Sequence, residues 1–113
     1  MSKHTPGPWA VDRYCRDITP VGRYLRIAEI PGHRENDTPD SQEREANARL
    51  IAAAPDLLAA LEAACDIIDL EAAIYSARAK VEHETANTRS AGNLKAKVNF
   101  FRATIAKATG GDL

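Results

Sequence analysis

The chain has 113 residues, with 15 Lys+Arg against 16 Asp+Glu, 44% hydrophobic residues and only 5% aromatic ones. That length excludes a large multi-domain enzyme and sets the expectation of a single domain over 1–113, while the balanced charge argues against a surface given over wholly to nucleic acid or membrane. A chain this short with so few aromatics has a thin core on its own, so a homo-oligomer is the expected state.

Residues 1–33 read as a β-hairpin region, because Pro6, Gly7, Pro8, Pro20, Gly22, Pro31 and Gly32 punctuate β-favouring stretches. A first arm is expected from Trp9 to about Tyr14, a turn over Thr19 to Gly22, and a second arm from Arg23 to Ile30. In that second arm Leu25 and Ile27 share one face while Tyr24, Arg26 and Ala28 share the other. Both faces contain apolar residues, so which one is covered stays open. Two strands alone are marginal in water, and a helix must therefore lie over the ribbon.

The same region holds the candidate recognition residues. Arg13, Arg16, Arg23 and Arg26 interleave with Trp9, Tyr14 and Tyr24. Guanidinium forks grip phosphate or carboxylate, and aromatic rings stack on bases or fill pockets of a protein partner. The structural alternative is a set of cross-strand ion pairs with Asp12, Asp17 and Glu29, with Trp9 packed on the helices.

Polar residues mark Pro31 to Asp40 as a loop, with 34–40 as its centre, and a helix is expected over 41–54, capped by Asp40 with Glu43 reaching back. Ala46, Leu50 and Ala53 recur along it at helical spacing with Ile51 alongside. Pro55 cannot sit inside a helix but suits a helix start, so a long helix is expected over 55–84. Leu50, Ile51, Leu57 and Leu58 are expected to cap the sheet. Asn47 is read first as a ligand of the Pro6 to Pro8 backbone, with Asn47 and Arg49 lining a binding pocket as the alternative.

The long helix carries the strongest periodicity: Leu58, Leu61, Cys65, Ile68, Ala72, Tyr75 and Ala79 alternate steps of three and four. Thr85 to Asn93 is expected to end it as a loop. Leu94, Val98, Phe101, Ile105 and Ala108 then continue the pattern in a C-terminal helix over 94–109, stopped by Gly110 and Gly111. Two such rows predict an antiparallel helical hairpin, with the acidic 34–84 segment (net −7) beside the basic 85–113 segment (net +4) and its Lys95, Lys97, Arg102 and Lys107. The rows read first as core. A sharper reading gives Leu58, Leu61, Cys65, Ile68, Ala72, Tyr75 and Phe101 to contact with another copy. The fold class is thus α+β: a small N-terminal antiparallel sheet packed on a helix, followed by an antiparallel helical hairpin.

Catalytic patterns are sparse. Neither Cys15 nor Cys65 has a nucleophile's local sequence, and the acids Asp66, Asp69, Glu82 and Glu84 read as a solvated helix face. His4, His33 and His83 lack the spacings of metal ligands, and no phosphate loop occurs. No enzyme activity, metal or cofactor is therefore expected. Without a leader sequence both thiols are expected reduced in the cytoplasm, and no apolar run is long enough to span a bilayer.

His4-Thr5-Pro6-Gly7-Pro8-Trp9, Asn47-Ala48-Arg49-Leu50-Ile51-Ala52-Ala53-Ala54-Pro55-Asp56-Leu57-Leu58 and Ala103-Thr104-Ile105-Ala106-Lys107-Ala108 together resemble a family of small proteins encoded by tailed phages and prophages. The motifs touch both ends and the centre; Pro31 to Ser41 and Ala63 to Phe100 carry none of them. The resemblance implies a phage accessory protein expressed in the host cytoplasm, and it transfers no functional residue. Joined to the missing catalytic patterns, it leads to an expectation of stoichiometric binding. Counter-defence is the role expected, by sequestering a nucleotide immune signal or masking a bacterial defence protein. A nucleic-acid-binding regulator using the basic last helix is the alternative.

Overall fold

The computed structural model describes residues 4–30, 41–82 and 85–110, apart from the side chains of Glu82 and Thr85. The expected Pro31 to Asp40 loop, the Asp40 cap, and the readings of His33, His83, Glu84 and Gly111 lie outside the described residues. The architecture is α+β, as the sequence leads one to expect, in the order β1 (Trp9–Val11), β2 (Asp17–Pro20), β3 (Ala28–Glu29), α1 (Ser41–Ala52), α2 (Ala54–Glu82) and α3 (Thr85–Thr109). The chain divides into two compact units, Met1–Leu58 and Ala59–Leu113.

In the first unit the three strands form an antiparallel sheet in the order β1-β2-β3. Trp9 pairs with Pro20, Val11 with Ile18, and Ile18 with Ala28. Paired residues point to the same side of a sheet, so Trp9, Val11, Ile18, Pro20 and Ala28 share one face. That face is the covered one. Ile18 is fully buried, and Ile30 and Ala48 of α1 complete the core with Trp9, Val11, Ile27, Ile51 and Ala52 packed around them. Full burial of Ile18 alone contributes roughly 2–3 kcal/mol, a large share for so small a cluster.

The ribbon departs from the expected hairpin in two places. Its first turn comes early, because one carboxylate oxygen of Asp12 accepts the amides of Arg16 (2.7 Å) and Asp17 (3.2 Å). Cys15 takes a positive φ of 55° inside that turn, and the chain reverses before Tyr14 can extend a strand. Thr19 and Pro20 consequently belong to β2. The second turn is Pro20 to Arg23, closed by the Arg23 amide on the Pro20 carbonyl at 3.2 Å, with Gly22 at φ 84° where that geometry requires glycine. The expected second arm from Arg23 shortens to Ala28–Glu29, extended by amide bonds of Ile27 to Ile18 and of Ile30 to Arg16.

α1 turns a different edge to the sheet from the one expected. Ala48 is the buried residue, with Ile51 and Ala52 beside it, while Ala46 and Leu50 face solvent. Leu57 is exposed as well, so of the four residues expected over the sheet, Ile51 is the one in the core cluster. The helix stops at Ala52, and Pro55 lies in the first turn of α2, within a residue or two of the expected break.

In the second unit, α2 and α3 form the expected antiparallel hairpin. Every residue of the α2 row from Leu61 to Ala79 is at least half-buried, with Cys65 and Ala72 closed off, opposite Ala91 and Val98 of α3. α3 begins earlier than expected: Thr85 to Asn93 is helical, and Ala91 extends the row of Leu94, Val98, Phe101 and Ile105 by one step. Arg102 is the basic residue of α3 that reaches the acids of α2, pairing with Asp69 and lying 3.5 Å from Asp66. The Asp69 carboxylate holds the Arg102 guanidinium more firmly protonated than usual.

Candidate functional site

The arginine and aromatic residues of the ribbon separate into a structural group and an exposed one. Trp9 belongs to the first. Its indole nitrogen donates to the Thr5 carbonyl at 3.1 Å, its ring meets His4 edge-on, and it packs on the Ile18 core, so it anchors the ribbon.

Arg26 is also committed. Its Nε lies 3.3 Å from Asp17 and its Nη1 3.1 Å from Glu29, while Arg16 stands 3.6 Å from the same Glu29. Asp17 and Glu29 are directly paired in the β2–β3 register, so two arginines neutralise two carboxylates on the face away from the core. These are the cross-strand ion pairs of the structural reading.

Arg13, Tyr14, Arg23 and Tyr24 form the exposed group. The Arg13 guanidinium lies over the Tyr14 ring at 4.8 Å, and its Nη2 donates to the phenol oxygen of the same Tyr14 at 2.7 Å. Neither Arg13 nor Arg23 makes an ion pair among the described residues. Tyr24 projects fully into solvent at 109% of its reference area, flanked by exposed Val21 and Leu25. Sequence reasoning missed Val21 and Leu25 as surface candidates by giving one to a turn and the other to a strand. The sequence held a signal for Val21, an apolar residue inside a Pro-Val-Gly turn, and none for Leu25.

Asn47 and Arg49 do not join this group. Both are exposed on α1, and Arg49 pairs with Glu45 one helical turn earlier. Asn47 makes no hydrogen bond to Pro6 to Pro8 among the described residues; instead the Pro-Gly-Pro segment lies against Pro55 at Gly7. Of the residues assigned to contact with another copy, Cys65 and Ala72 are already enclosed within the chain, and Leu58, Leu61, Ile68, Tyr75 and Phe101 are half-buried.

Two open grooves run along the helical hairpin. One, about 420 Å³, is lined by Ser76, Lys80, Thr88 and Lys95 near the α2–α3 connection; the other, about 440 Å³, by Glu62, Asp66, Arg102 and Ile105. Cys15 and Cys65 are both free thiols. Among the described residues no three His, Cys, Asp or Glu side chains come together as a metal site, and no helix is long and apolar enough to cross a membrane.

No curated protein and no solved structure matches the chain. A family model does: the one described as Salmonella phage P22 protein Y8K6 matches residues 1–112. That match spans both compact units and includes the Gly7 and Pro55 segments that meet in the first of them, so the chain belongs to this family of phage proteins.

Proposed function

We propose that this phage protein acts without turnover, by stoichiometric binding, and that the segment from Val21 to Arg26 is its recognition loop. The observation that carries the reading is the full exposure of Tyr24 between exposed Val21 and Leu25, with Arg23 free of any ion pair among the described residues. Exposed tyrosine and arginine beside aliphatic residues are the side chains that dominate protein interfaces, and a sheet is a rigid base from which to present them. The partner is a bacterial protein, and the role is counter-defence by masking it.

The nucleotide-signal alternative draws less support from the same residues. Such a ligand requires several arginines converging on an enclosed pocket, whereas Arg16 and Arg26 are engaged with Asp17 and Glu29. A nucleic-acid regulator would rest on Lys80 and Lys95 at the α2–α3 groove and would bind less tightly as salt is raised.

The test is native mass spectrometry of the tagged protein recovered from infected cells, wild type against a Tyr24→Ala/Leu25→Ser double variant. A partner retained in fixed stoichiometry by the wild type and lost by the variant supports the reading. Retention by both removes the loop. Calorimetry against cyclic and ADP-ribose-type nucleotides is expected to show no heat, and saturable heat would restore the nucleotide alternative.

A further inference from the structure

α2 has two apolar rows, and only one is used by the hairpin. On the far side of the helix from Cys65 and Ala72, the residues Ala63, Ile67, Leu70, Ile74, Ala77 and Val81 repeat at steps of four, three, four, three and four. All six are exposed; Ile67 and Leu70 are each 64% accessible and Val81 80%. Scattered surface aliphatics are ordinary, but six in register along five turns form a continuous seam of the kind that pairs helices.

The charges beside the seam say what fits it. Asp66 and Glu71 flank its first half, Arg78 and Lys80 its second. A parallel copy would set acid against acid and base against base. An antiparallel copy, related by a two-fold axis near Ala72, places Asp66 of each chain beside Lys80 of the other at both ends of the seam, with Glu71 close to the axis. The apolar row matches itself under the same operation: Leu70 meets Ile74, Ile67 meets Ala77, and Ala63 meets Val81. Asp66 keeps its carboxylate 80% accessible although Arg102 is 3.5 Å away, so that contact leaves it open to a second partner.

We infer that the seam is covered by a second copy of this chain, forming an antiparallel homodimer through the outer face of α2. This moves the copy-to-copy contact from the enclosed Cys65 row to the opposite side of the same helix. It stands independently of the recognition loop.

Sedimentation velocity on the full chain at roughly 100 µM, where a micromolar dimer is almost wholly assembled, reads the state directly. The expected result is twice the monomer mass for the wild type and monomer mass for Leu70→Glu/Ile74→Glu, with unchanged helical circular dichroism because both side chains are exposed. Should that variant unfold, the milder Ile67→Gln is expected to raise the dissociation constant at least tenfold while folding normally.

Orientation is read by oxidation in a Cys15→Ser background, since Cys65 is buried. Ile67→Cys mixed with Ala77→Cys is expected to give a crossed disulfide dimer, and Ile67→Cys alone none. A monomeric wild type, a dimer indifferent to both sets of changes, or efficient cross-linking of Ile67→Cys with itself would each overturn the proposal.

Discussion

Gly7 and Pro55 are in contact across the first unit: a Cβ placed on Gly7 would lie 2.8 Å from both Cβ and Cγ of Pro55. Two segments that resemble the phage family separately, one before the sheet and one between two helices, are thus a single packing feature. The proline ring ends α1 and also forms the surface against which the N-terminal segment lies.

Gly7→Ala therefore overpacks a rigid ring and is expected to destabilise the first unit by about 1–3 kcal/mol in urea denaturation. Pro55→Ala removes Cγ, one of the two carbons that the new methyl group meets, and frees the remaining Cβ from the rigid ring. The Gly7→Ala/Pro55→Ala protein should accordingly be more stable than the sum of the two single losses implies. Additive losses would show that the contact is not what constrains residue 7.

Cys65 is the fully buried member of the α2 row and Ile68 a half-buried one. Cys65→Asp places a carboxylate with no partner in the α2–α3 seam and is expected to cost roughly 3 kcal/mol or more. Ile68→Asp, with one side reaching water, should cost less. Thermal melts followed by circular dichroism give the order, and two variants as stable as the wild type would mean that this row is not the core of the hairpin.

The hairpin was legible in the sequence because its signal is a repeat, and a miss at any one position does not hide it. Ala91 and the helical start at Thr85 were not, since the row there is carried by alanine beside Asn87, Ser90 and Gly92, residues that look like a loop when read one by one. Size misled the reading of α1 in the same way. Leu50 has the hydrophobicity of a core residue but faces water, whereas Ala48 is small enough for the helix to approach the sheet. The candidate site was half visible: Tyr24 and Arg23 are exposed as a recognition surface needs, yet Trp9 is core and Arg26 is paired. Nothing local distinguishes a guanidinium with a carboxylate three residues away, or across a strand, from one without.

Two glycines of α3 and its end make an internal comparison of opposite sign. Gly92 lies within the helix with open space where a Cβ would stand, so Gly92→Ala is expected to stabilise by about 0.5–1 kcal/mol. Gly110 follows the last helical residue at φ 75°, where a side chain is strained whatever the space. Gly110→Ala should lose about 1 kcal/mol. Chemical denaturation of both variants reads the pair, and the same sign for the two would contradict the helix end at Thr109.

Asp12 links the ribbon's first turn to pH. The backbone amide of Arg16, the largest influence, together with that of Asp17, holds its carboxyl below the usual aspartate range against a smaller opposing effect of burial. The unfolded chain then binds this proton more readily than the folded one. The turn's contribution is complete above the ordinary aspartate value near pH 4 and declines as pH falls through that value toward the lower folded one. Asp12→Asn keeps an oxygen to accept the two amides but has nothing to titrate, so the stability gap between wild type and variant should narrow as melts are taken from pH 6 down to pH 2. Asp12→Ala, which removes the acceptor itself, should lose about 1 kcal/mol at neutral pH. Wild-type and Asp12→Asn melting curves that stay parallel across the acid range would show that the carboxylate's charge does not hold the turn.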